Sequence, residues 1–290
     1  MKTLVVTGGG PGLGRVTAGK LAHAGHRVVL VARTQAAAEA AAAEIRARNP
    51  DASVDPRAAD LASLASIRAF AAALVDDAGG IDVLFNIASV LQTSPSRRVT
   101  ADGLEETLAV NALAPFLLTR LLLPALERPE TARVVNVSSR LHLPGSRGKP
   151  VGFDFGDPQL EHGYNPTAPT RTPSSPFFGS PTNSSAGCRR ASPPPTPCVL
   201  GSSPPTAAAS TSGAMHWLMA NVLPHMPFAT SIDAATDSFV FMALDPSLDA
   251  VGGKFFGDKH QIESSPESYD LGKAKRFWEL ASQLTGLNPD

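Results

Sequence analysis

The fold is decided near the amino terminus by the stretch Leu4-Val5-Val6-Thr7-Gly8-Gly9-Gly10-Pro11-Gly12-Leu13-Gly14. Its apolar run predicts a short buried strand, and its glycines predict a tight loop that opens a helix ending near Gly25. A second β-rich run, Arg27-Val28-Val29-Leu30-Val31, follows directly. This order of strand, glycine loop, helix and strand is typical of a dinucleotide-binding unit, in which a pyrophosphate meets the free N–H groups of the helix start. An ordinary turn between strand and helix is the alternative.

Strand and helix patterns alternate through the next hundred residues. An Ala-rich helix capped by Thr34 ends before Asn49-Pro50, and a helix opened by Ser63 follows a short strand-like piece. Further elements are predicted as a strand over 81–85, a long helix over 104–126 and a strand over 132–138. This alternation predicts the α/β class, with a single Rossmann-type doubly wound parallel sheet and helices on both faces. We expect one domain over residues 1–290.

The charge balance and the cysteine content exclude several classes of protein. The chain carries 25 Lys and Arg against 26 Asp and Glu, and its net charge of −1 argues against binding to nucleic acid or anionic membranes. Two cysteines cannot form a disulfide framework, and no Cys/His cluster has the spacing of metal ligands. The most apolar stretch, 107–126, contains Asn111 and Arg120 and is not predicted to span a membrane. We expect a cytoplasmic protein.

The residues that end the second predicted strand bear on the choice of dinucleotide. An NAD site carries an acidic residue there for the 2′-hydroxyl group of the ribose. This chain has Ala32-Arg33 instead, and a guanidinium group suits a 2′-phosphate. We therefore predict NADP(H) as the cofactor, with NAD as the weaker candidate. The alternative is an arginine that is merely solvated at the start of a helix.

Four short motifs occur in the order and context of a known enzyme family. They are Thr-Gly-x-x-x-Gly-x-Gly at 7–14, Asp60-Leu61, Val110-Asn111-Ala112 and Val135-Asn136-Val137-Ser138-Ser139. In these residues the chain resembles the short-chain dehydrogenases/reductases, and it is most similar to their retinol-dehydrogenase and WW-domain-oxidoreductase branch. The resemblance covers residues 1 to about 166 and resumes from about 215 to 287. It implies an oxidoreductase that interconverts a carbonyl and an alcohol of a small-molecule substrate, in a family that often forms homo-oligomers.

The resemblance also implies roles for individual residues. Ser139 would hydrogen-bond the substrate oxygen, and Ser138 would lie on the opposite face of the strand. Asn111 would hold a proton-relay water beside the cofactor, and Arg33 would meet the 2′-phosphate. The other implied cofactor-binding residues are Thr7, Gly8, Gly12, Leu13 and Gly14 at the pyrophosphate, Asp60 and Leu61 at the adenine, and Asn86 and Ala88. The family's Asn-Asn-Ala-Gly segment falls on Asn86-Ile87-Ala88-Ser89, where only the first Asn and the Ala match.

The catalytic base of the family is not found in this chain. The family's chemistry needs a tyrosine four residues before a lysine on one helix, so that the ammonium group lowers the pKa of the phenol. Tyr164 has Ala168 at that offset. Tyr269 has Lys273, but this pair lies 130 residues past Ser139, in a tail that already matches the end of the family pattern. We therefore interpret the pair as a coincidence of spacing.

The segment in which the pair belongs, residues 162–212, has an aberrant Pro/Ser-rich composition. Eleven of the 26 prolines lie between residues 166 and 205, and no Leu, Ile, Val or Met occurs between 161 and 198. Such a stretch is predicted to be disordered or irregular, although the sheet still needs a central helix and a strand there. One interpretation is an inserted linker.

A slip of the reading frame is the interpretation that we favour. Codons read one base early across 169–176 permit Tyr-x-x-Ser-Lys-Leu-Ala, and the same shift over 190–201 permits Gly-Val-Thr-Ala-x-Asn-Ala-Leu-x-Pro-Gly. These resemble the family's catalytic motif and its next strand, in the correct order. We therefore expect an NADP(H)-dependent oxidoreductase that is impaired or inactive as written. The alternative function is a non-catalytic dinucleotide-binding scaffold or regulator, and a third outcome is a chain that does not fold stably.

Overall fold

The structure is a computed structural model of the 290-residue chain. It describes residues 1–77, 79–90, 94, 96–138, 152–162, 164, 196–198 and 231–289, and for 196–198 it describes the main chain only. Ser139 and most of the segment over 162–212 therefore lie outside the described residues.

Six parallel strands form the central sheet, in the order β3-β2-β1-β4-β5-β6. The strands are β1 (Thr3–Thr7), β2 (Arg27–Ala32), β3 (Val54–Ala58), β4 (Val83–Asn86), β5 (Arg133–Asn136) and β6 (Thr196–Cys198). The helices are α1 (Leu13–His23), α2 (Gln35–Arg48), α3 (Leu64–Asp77), α4 (Glu106–Leu108), α5 (Ala114–Leu126), α6 (Ile232–Leu244) and α7 (Leu271–Thr285). A small antiparallel hairpin of β7 (Phe255–Gly257) and β8 (His260–Ile262) separates α6 from α7 in the chain. The strand order is that of doubly wound dinucleotide-binding folds, so the predicted fold class is confirmed.

Helices cover both faces of the sheet, which explains why β1 and β2 are apolar at nearly every position. A parallel strand that is buried on both faces has no side that can carry polar residues. On one face the core contains Leu21 of α1, Ile45 of α2 and Phe239 of α6. On the other face it contains Phe70 of α3 and Leu117 of α5. The crossover helices thus place every β-to-α loop at the carboxyl edge of the sheet.

Strand β3 lies at one edge of the sheet and has the polar sequence Val-Asp-Pro-Arg-Ala. Pro56 offers no N–H group to a further strand. Asp55 lies between two arginines, with Oδ2 3.2 Å from Arg27 and Oδ1 2.9 Å from Arg57. Charges and a proline of this kind protect an edge strand from pairing with other chains.

Three residues of the Pro/Ser-rich segment pair with β5. Thr196 lies opposite Arg133 and Cys198 opposite Val135, so β6 extends the sheet by one short strand. The composition of the segment predicts no strand there. The difference arises because a strand ladder is made by main-chain groups, and proline is compatible with a strand at the edge of a sheet.

The long helix predicted over 104–126 is observed in three consecutive pieces. The single turn α4 leads into a π-helical turn at Ala109–Leu113, and α5 continues to Leu126. The run over Glu106–Leu126 has 21 residues and contains an 18-residue window with a mean hydropathy of 1.6, which by length and composition alone would suffice to cross a membrane. However, 67% of that window is buried, as in a core helix packed against a sheet.

Helix α7 is followed by a chain segment that is fastened to the helices beneath it. Gly286 ends α7 in the left-handed conformation, with φ of +67°. Arg68 of α3 donates a 2.6 Å hydrogen bond to the carbonyl of Thr285. Arg120 of α5 donates one of 3.1 Å to the carbonyl of Asn288. These bonds hold α7 against α3 and α5.

Candidate active site

The glycine loop joins β1 to α1 in a conformation that requires its glycines. Gly8 and Gly12 have φ values of +85° and +133°, which residues with side chains rarely adopt. A Cβ atom on Gly14 would lie 2.2 Å from the carbonyl oxygen of Gly8, so the start of the helix packs directly on the loop. A Cβ atom on Gly10 would meet no atom within 4 Å. The loop is therefore closely packed where Gly14 approaches Gly8, and it is open at Gly10.

The start of α1 has free hydrogen-bonding capacity beside this loop. The helix begins at Leu13 with Gly12 as its N-cap residue, and no described side chain caps it. Its first turn also carries no acidic residue. The N–H groups of that turn and the positive end of the helix dipole favour an anion. An open glycine cradle next to an uncapped helix start fits the pyrophosphate of a dinucleotide.

Thr7 fixes the position of the glycine loop relative to the loop that follows β4. Its buried hydroxyl group donates to the carbonyl of Phe85 at 3.0 Å and accepts from the N–H groups of Ile87 at 3.0 Å and Ala88 at 3.2 Å. A Cβ atom on Gly8 would lie 3.1 Å from the nitrogen of Ala88, so the two loops touch. The Thr7 hydroxyl is committed to main-chain partners, and its contribution to a cofactor site is to set the distance between these loops.

Arg33 stands at the carboxyl end of β2, next to the glycine loop. The N–H group of Gly9 donates a 2.8 Å hydrogen bond to the carbonyl of Val31, which ties the loop to this strand end. The Arg33 side chain is exposed and forms no ion pair with any described residue. Thr34 then caps α2 by accepting a 3.3 Å hydrogen bond from the N–H group of Ala37. A free guanidinium group is thus available at the place predicted to meet a 2′-phosphate.

Asp60 lies in the loop that follows β3, the edge strand that pairs with β2. Its Oδ1 atom accepts a 3.0 Å hydrogen bond from the N–H group of Ala62, and its own N–H group donates to Oγ of Ser66 at 2.9 Å. Leu61 is partly buried against the core beneath α3. These contacts hold the loop in one shape, with Asp60 half-buried. The adenine-binding role of Asp60 and Leu61 stays a prediction.

Asn86 and Asn136 form a buried pair where β4 and β5 end side by side. The Nδ2 atom of Asn86 donates to Oδ1 of Asn136 at 2.7 Å and approaches the hydroxyl group of Thr119 at 3.4 Å. The N–H group of Val137 donates to the carbonyl of Asn86 at 3.0 Å. The pair fixes the strand end that leads to Ser138, whose buried hydroxyl group has no described partner. Neither Asn136, although part of a quoted motif, nor Thr119 was predicted as a site residue, and an asparagine that ends each of two neighbouring predicted strands is a usable signal for the pair.

Asn111 lies in the π-helical turn, and its side chain hydrogen-bonds the loop that follows β4. Its Oδ1 atom accepts a 2.8 Å hydrogen bond from the N–H group of Val90, and its Nδ2 atom donates a 2.9 Å hydrogen bond to the carbonyl of Val90. The structure thus brings Asn111, Ala88, Gly8 and the start of α1 to one edge of the sheet. Ser139, the other predicted catalytic residue, lies outside the described residues.

Neither tyrosine of the chain forms a Tyr–Lys pair with a described lysine. Burial, and then the charges of Glu105 and Glu106, raise the pKa of Tyr164, the opposite of the effect that a catalytic phenol needs. The hydroxyl group of Tyr269 accepts a hydrogen bond from a main-chain N–H group, and the side chain is 58% exposed. The ammonium group of Lys273 pairs with Glu267 at 2.7 Å.

Among the described residues, no group of three or more His, Cys, Asp or Glu side chains is arranged to hold a metal ion.

Known proteins match this chain over nearly its whole length. A family model described as short chain dehydrogenase matches residues 2–151. Human retinol dehydrogenase 13 is 32% identical, with 99% of this chain and 85% of the relative covered. Human dehydrogenase/reductase SDR family member 13 is also 32% identical, with coverages of 99% and 74%.

Solved structures agree with these relatives. An uncharacterised protein from Mycobacterium paratuberculosis superposes with a TM-score of 0.73 at 28% identity, covering 100% of this chain and 95% of the other. An NAD(P)-dependent gluconate 5-dehydrogenase from Beutenbergia cavernae, solved with bound NADP, superposes with a TM-score of 0.62 at 25% identity, covering 89% and 94%. Given the glycine loop, the strand order and these matches, the chain belongs to the short-chain dehydrogenase/reductase family, on the branch of the retinol dehydrogenases.

Proposed function

We propose that this chain is an NADP(H)-dependent oxidoreductase that interconverts a carbonyl and an alcohol, and that it is impaired as written because the catalytic Tyr-x-x-x-Lys pair expected after Ser139 is absent. The relatives named as retinol dehydrogenases support carbonyl/alcohol chemistry on an apolar small molecule. When bound, the nicotinamide would supply or accept the hydride. The open glycine loop and the start of α1, which no described side chain caps, support the binding of the cofactor, whereas no tyrosine and lysine among the described residues meet to move a proton.

The observation that carries the preference for NADP(H) is the guanidinium group of Arg33, which forms no ion pair with any described residue. It lies at the end of β2, where a carboxylate would serve the 2′-hydroxyl group of NAD. The residues around it, Ala32, Thr34 and Gln35, supply no negative charge. A 2′-phosphate would pair with this guanidinium group. Because Arg33 is exposed, its charge is solvated when no cofactor is bound.

The test compares the dissociation constants of NADPH and NADH for the full chain and two variants. We expect Arg33→Ala to weaken NADPH binding by about 10- to 100-fold, the loss of about 1.5–3 kcal/mol expected for a charge-assisted hydrogen bond. The affinity for NADH should stay within about twofold. Arg48→Ala removes another exposed arginine, at the far end of α2, and should change neither constant. Equal affinities of the parent chain for both cofactors would refute the preference.

The proposed loss of activity is tested by comparing the chain with a version translated from the shifted frame over 169–201. The chain as written should bind NADPH yet show no NADPH-dependent reduction of aldehydes such as retinal. The reframed chain, which restores Tyr-x-x-Ser-Lys, should turn over. Robust NADPH-dependent turnover by the chain as written would sink the proposal of impairment. Resequencing the coding DNA across codons 160–215 shows independently whether the shifted frame exists in the gene.

A non-catalytic dinucleotide-binding scaffold is the second candidate function. It is favoured by the contacts of the chain's two tyrosines, since Tyr164 approaches the carbonyl of Ser94 at 3.5 Å and the lysine four residues after Tyr269 is paired with Glu267. Cofactor binding without turnover in both the written and the reframed chain would establish it.

We further propose that the protein works in the cytoplasm and forms a homo-oligomer. Cell fractionation and light scattering would test these two points.

A further inference from the structure

The π-helical turn Ala109–Leu113 is held between two sets of contacts. A π-helical turn contains one residue more than an α-helical turn, is rare, and often occurs at functional sites. Its apolar residues Ala109, Ala112 and Leu113 are buried in one cluster. Its polar residue, Asn111, instead hydrogen-bonds both main-chain groups of Val90. The turn therefore joins a buried apolar surface to the loop that follows β4.

Helix α7 supplies the apolar surface against which this turn packs. Ala274, Phe277 and Ala281 are spaced three and four residues apart, so they share one face of the helix, and all three are buried in the same cluster as the π-helical turn. Phe277 is 1% exposed and is the largest of the three. Its ring packs edge-on against Phe153, with the ring centroids 5.5 Å apart. The side chains that surround the turn thus come from distant parts of the chain.

We propose that Phe277 is a positioning residue, which keeps the turn in its π-helical register and thereby keeps Asn111 directed at Val90. Relaxation of the turn into an α-helix would change the register by one residue, which rotates a side chain about the helix axis by about 100°. Neither hydrogen bond to Val90 survives such a rotation. The consequence for the cofactor site rests on the function proposed above, because the loop that contains Val90 also contains Ala88, which touches the glycine loop at Gly8.

Amide hydrogen exchange of the full chain without cofactor tests the positioning role. In Phe277→Leu, the N–H group of Val90 should exchange about tenfold faster, the effect of a loss of about 1.4 kcal/mol in the local opening equilibrium. Phe70→Leu is the control, since Phe70 is also buried, at 7% exposed, but lies in the cluster beneath α3 and α5 that does not include the π-helical turn. It should leave the exchange at Val90 unchanged. Unchanged exchange in Phe277→Leu, or equal acceleration in both variants, would overturn the proposal.

Two further variants separate positioning from general stability. Phe277→Met removes about as much volume as Phe277→Leu, but its flexible, unbranched side chain can fill an irregular gap, so it should accelerate exchange at Val90 less than Phe277→Leu does. If Phe277→Leu does not fold, Phe277→Met carries the test: exchange at Val90 faster than in Phe70→Leu supports the role, and exchange no faster than in Phe70→Leu contradicts it. The NADPH dissociation constant of Asn111→Ala should not worsen when Phe277→Leu is added, because both act through one contact. Additive losses would contradict the proposal. The exchange measurements need no cofactor, so they remain valid if the chain does not bind NADPH.

Discussion

Arg133, the first residue of β5, connects the sheet to the end of α6 and should be the costliest charged residue to replace. It is 4% exposed. It donates hydrogen bonds of 2.7 Å to the carbonyls of Met242 and Asp245, and it pairs with Asp249 at 2.6 Å. Asp249 is 45% exposed, so its carboxylate can return to water when Arg133 is lost. The carbonyl of Met242 is buried at the contact and would lose its cationic partner.

The expected cost of Arg133→Met is about 2–4 kcal/mol, because the carbonyls of Met242 and Asp245 both lose their charged donor and an unsatisfied buried acceptor costs about 1–3 kcal/mol. That is a large part of the roughly 5–15 kcal/mol that stabilises an ordinary domain. Arg98→Met is the control, since Arg98 is 63% exposed and its ion pair with Glu106 spans 3.2 Å, a type worth below about 1 kcal/mol. Urea unfolding followed by circular dichroism measures both variants. A cost for Arg133→Met no greater than for Arg98→Met would refute the assigned role.

Two further predictions follow from the backbone and from titration. Gly14→Ala should abolish NADPH binding because its Cβ would lie 2.2 Å from the carbonyl oxygen of Gly8. Gly10→Ala should retain folding, since its Cβ would meet no atom within 4 Å. Calorimetry of NADPH binding and thermal unfolding check both variants. Burial, and then the charges of the amino terminus and Lys2, lower the pKa of His26 below 6.5, so the unfolded chain binds this proton more readily and stability falls as pH drops through that region. The melting temperature should therefore decline less between pH 7 and 5.5 in His26→Gln, and an identical decline would contradict the argument.

The parts of the fold that could be predicted are those in which residues act on their neighbours in the sequence. The glycine spacing of 8–14 forces a tight loop by itself, and the apolar run before it can only be buried between two layers of helices. The predicted parallel sheet was confirmed for this reason. The π-helical turn was not predicted, because it depends on Phe277, which is far away in the sequence. Periodicity alone describes such a region as one continuous helix.

The candidate site was predictable only where a residue acts through its own chemistry. Arg33 was predicted to meet a 2′-phosphate because a guanidinium group in place of a carboxylate is visible in the sequence itself, and this role stays a prediction. Asn86 was predicted to bind the cofactor, yet its side chain hydrogen-bonds Asn136, a partner that becomes visible only when β4 and β5 are placed side by side. Asn111 was predicted as a relay residue, and its clasp on Val90 adds a structural contact that no local pattern contains.

Contacts that cross the Pro/Ser-rich segment limit where a slip of the reading frame can lie. Arg133, before the segment, bonds the end of α6 after it, and Lys20 of α1 pairs with Asp237 of α6 at 2.7 Å. Phe239 of the same helix is buried in one cluster with β1 and β2. Residues translated out of frame would not supply a helix with this apolar face and these charges. If the reading frame slips in this segment, it must therefore be correct again before residue 231, which would require a second, compensating shift and would place both shifts between 139 and 230.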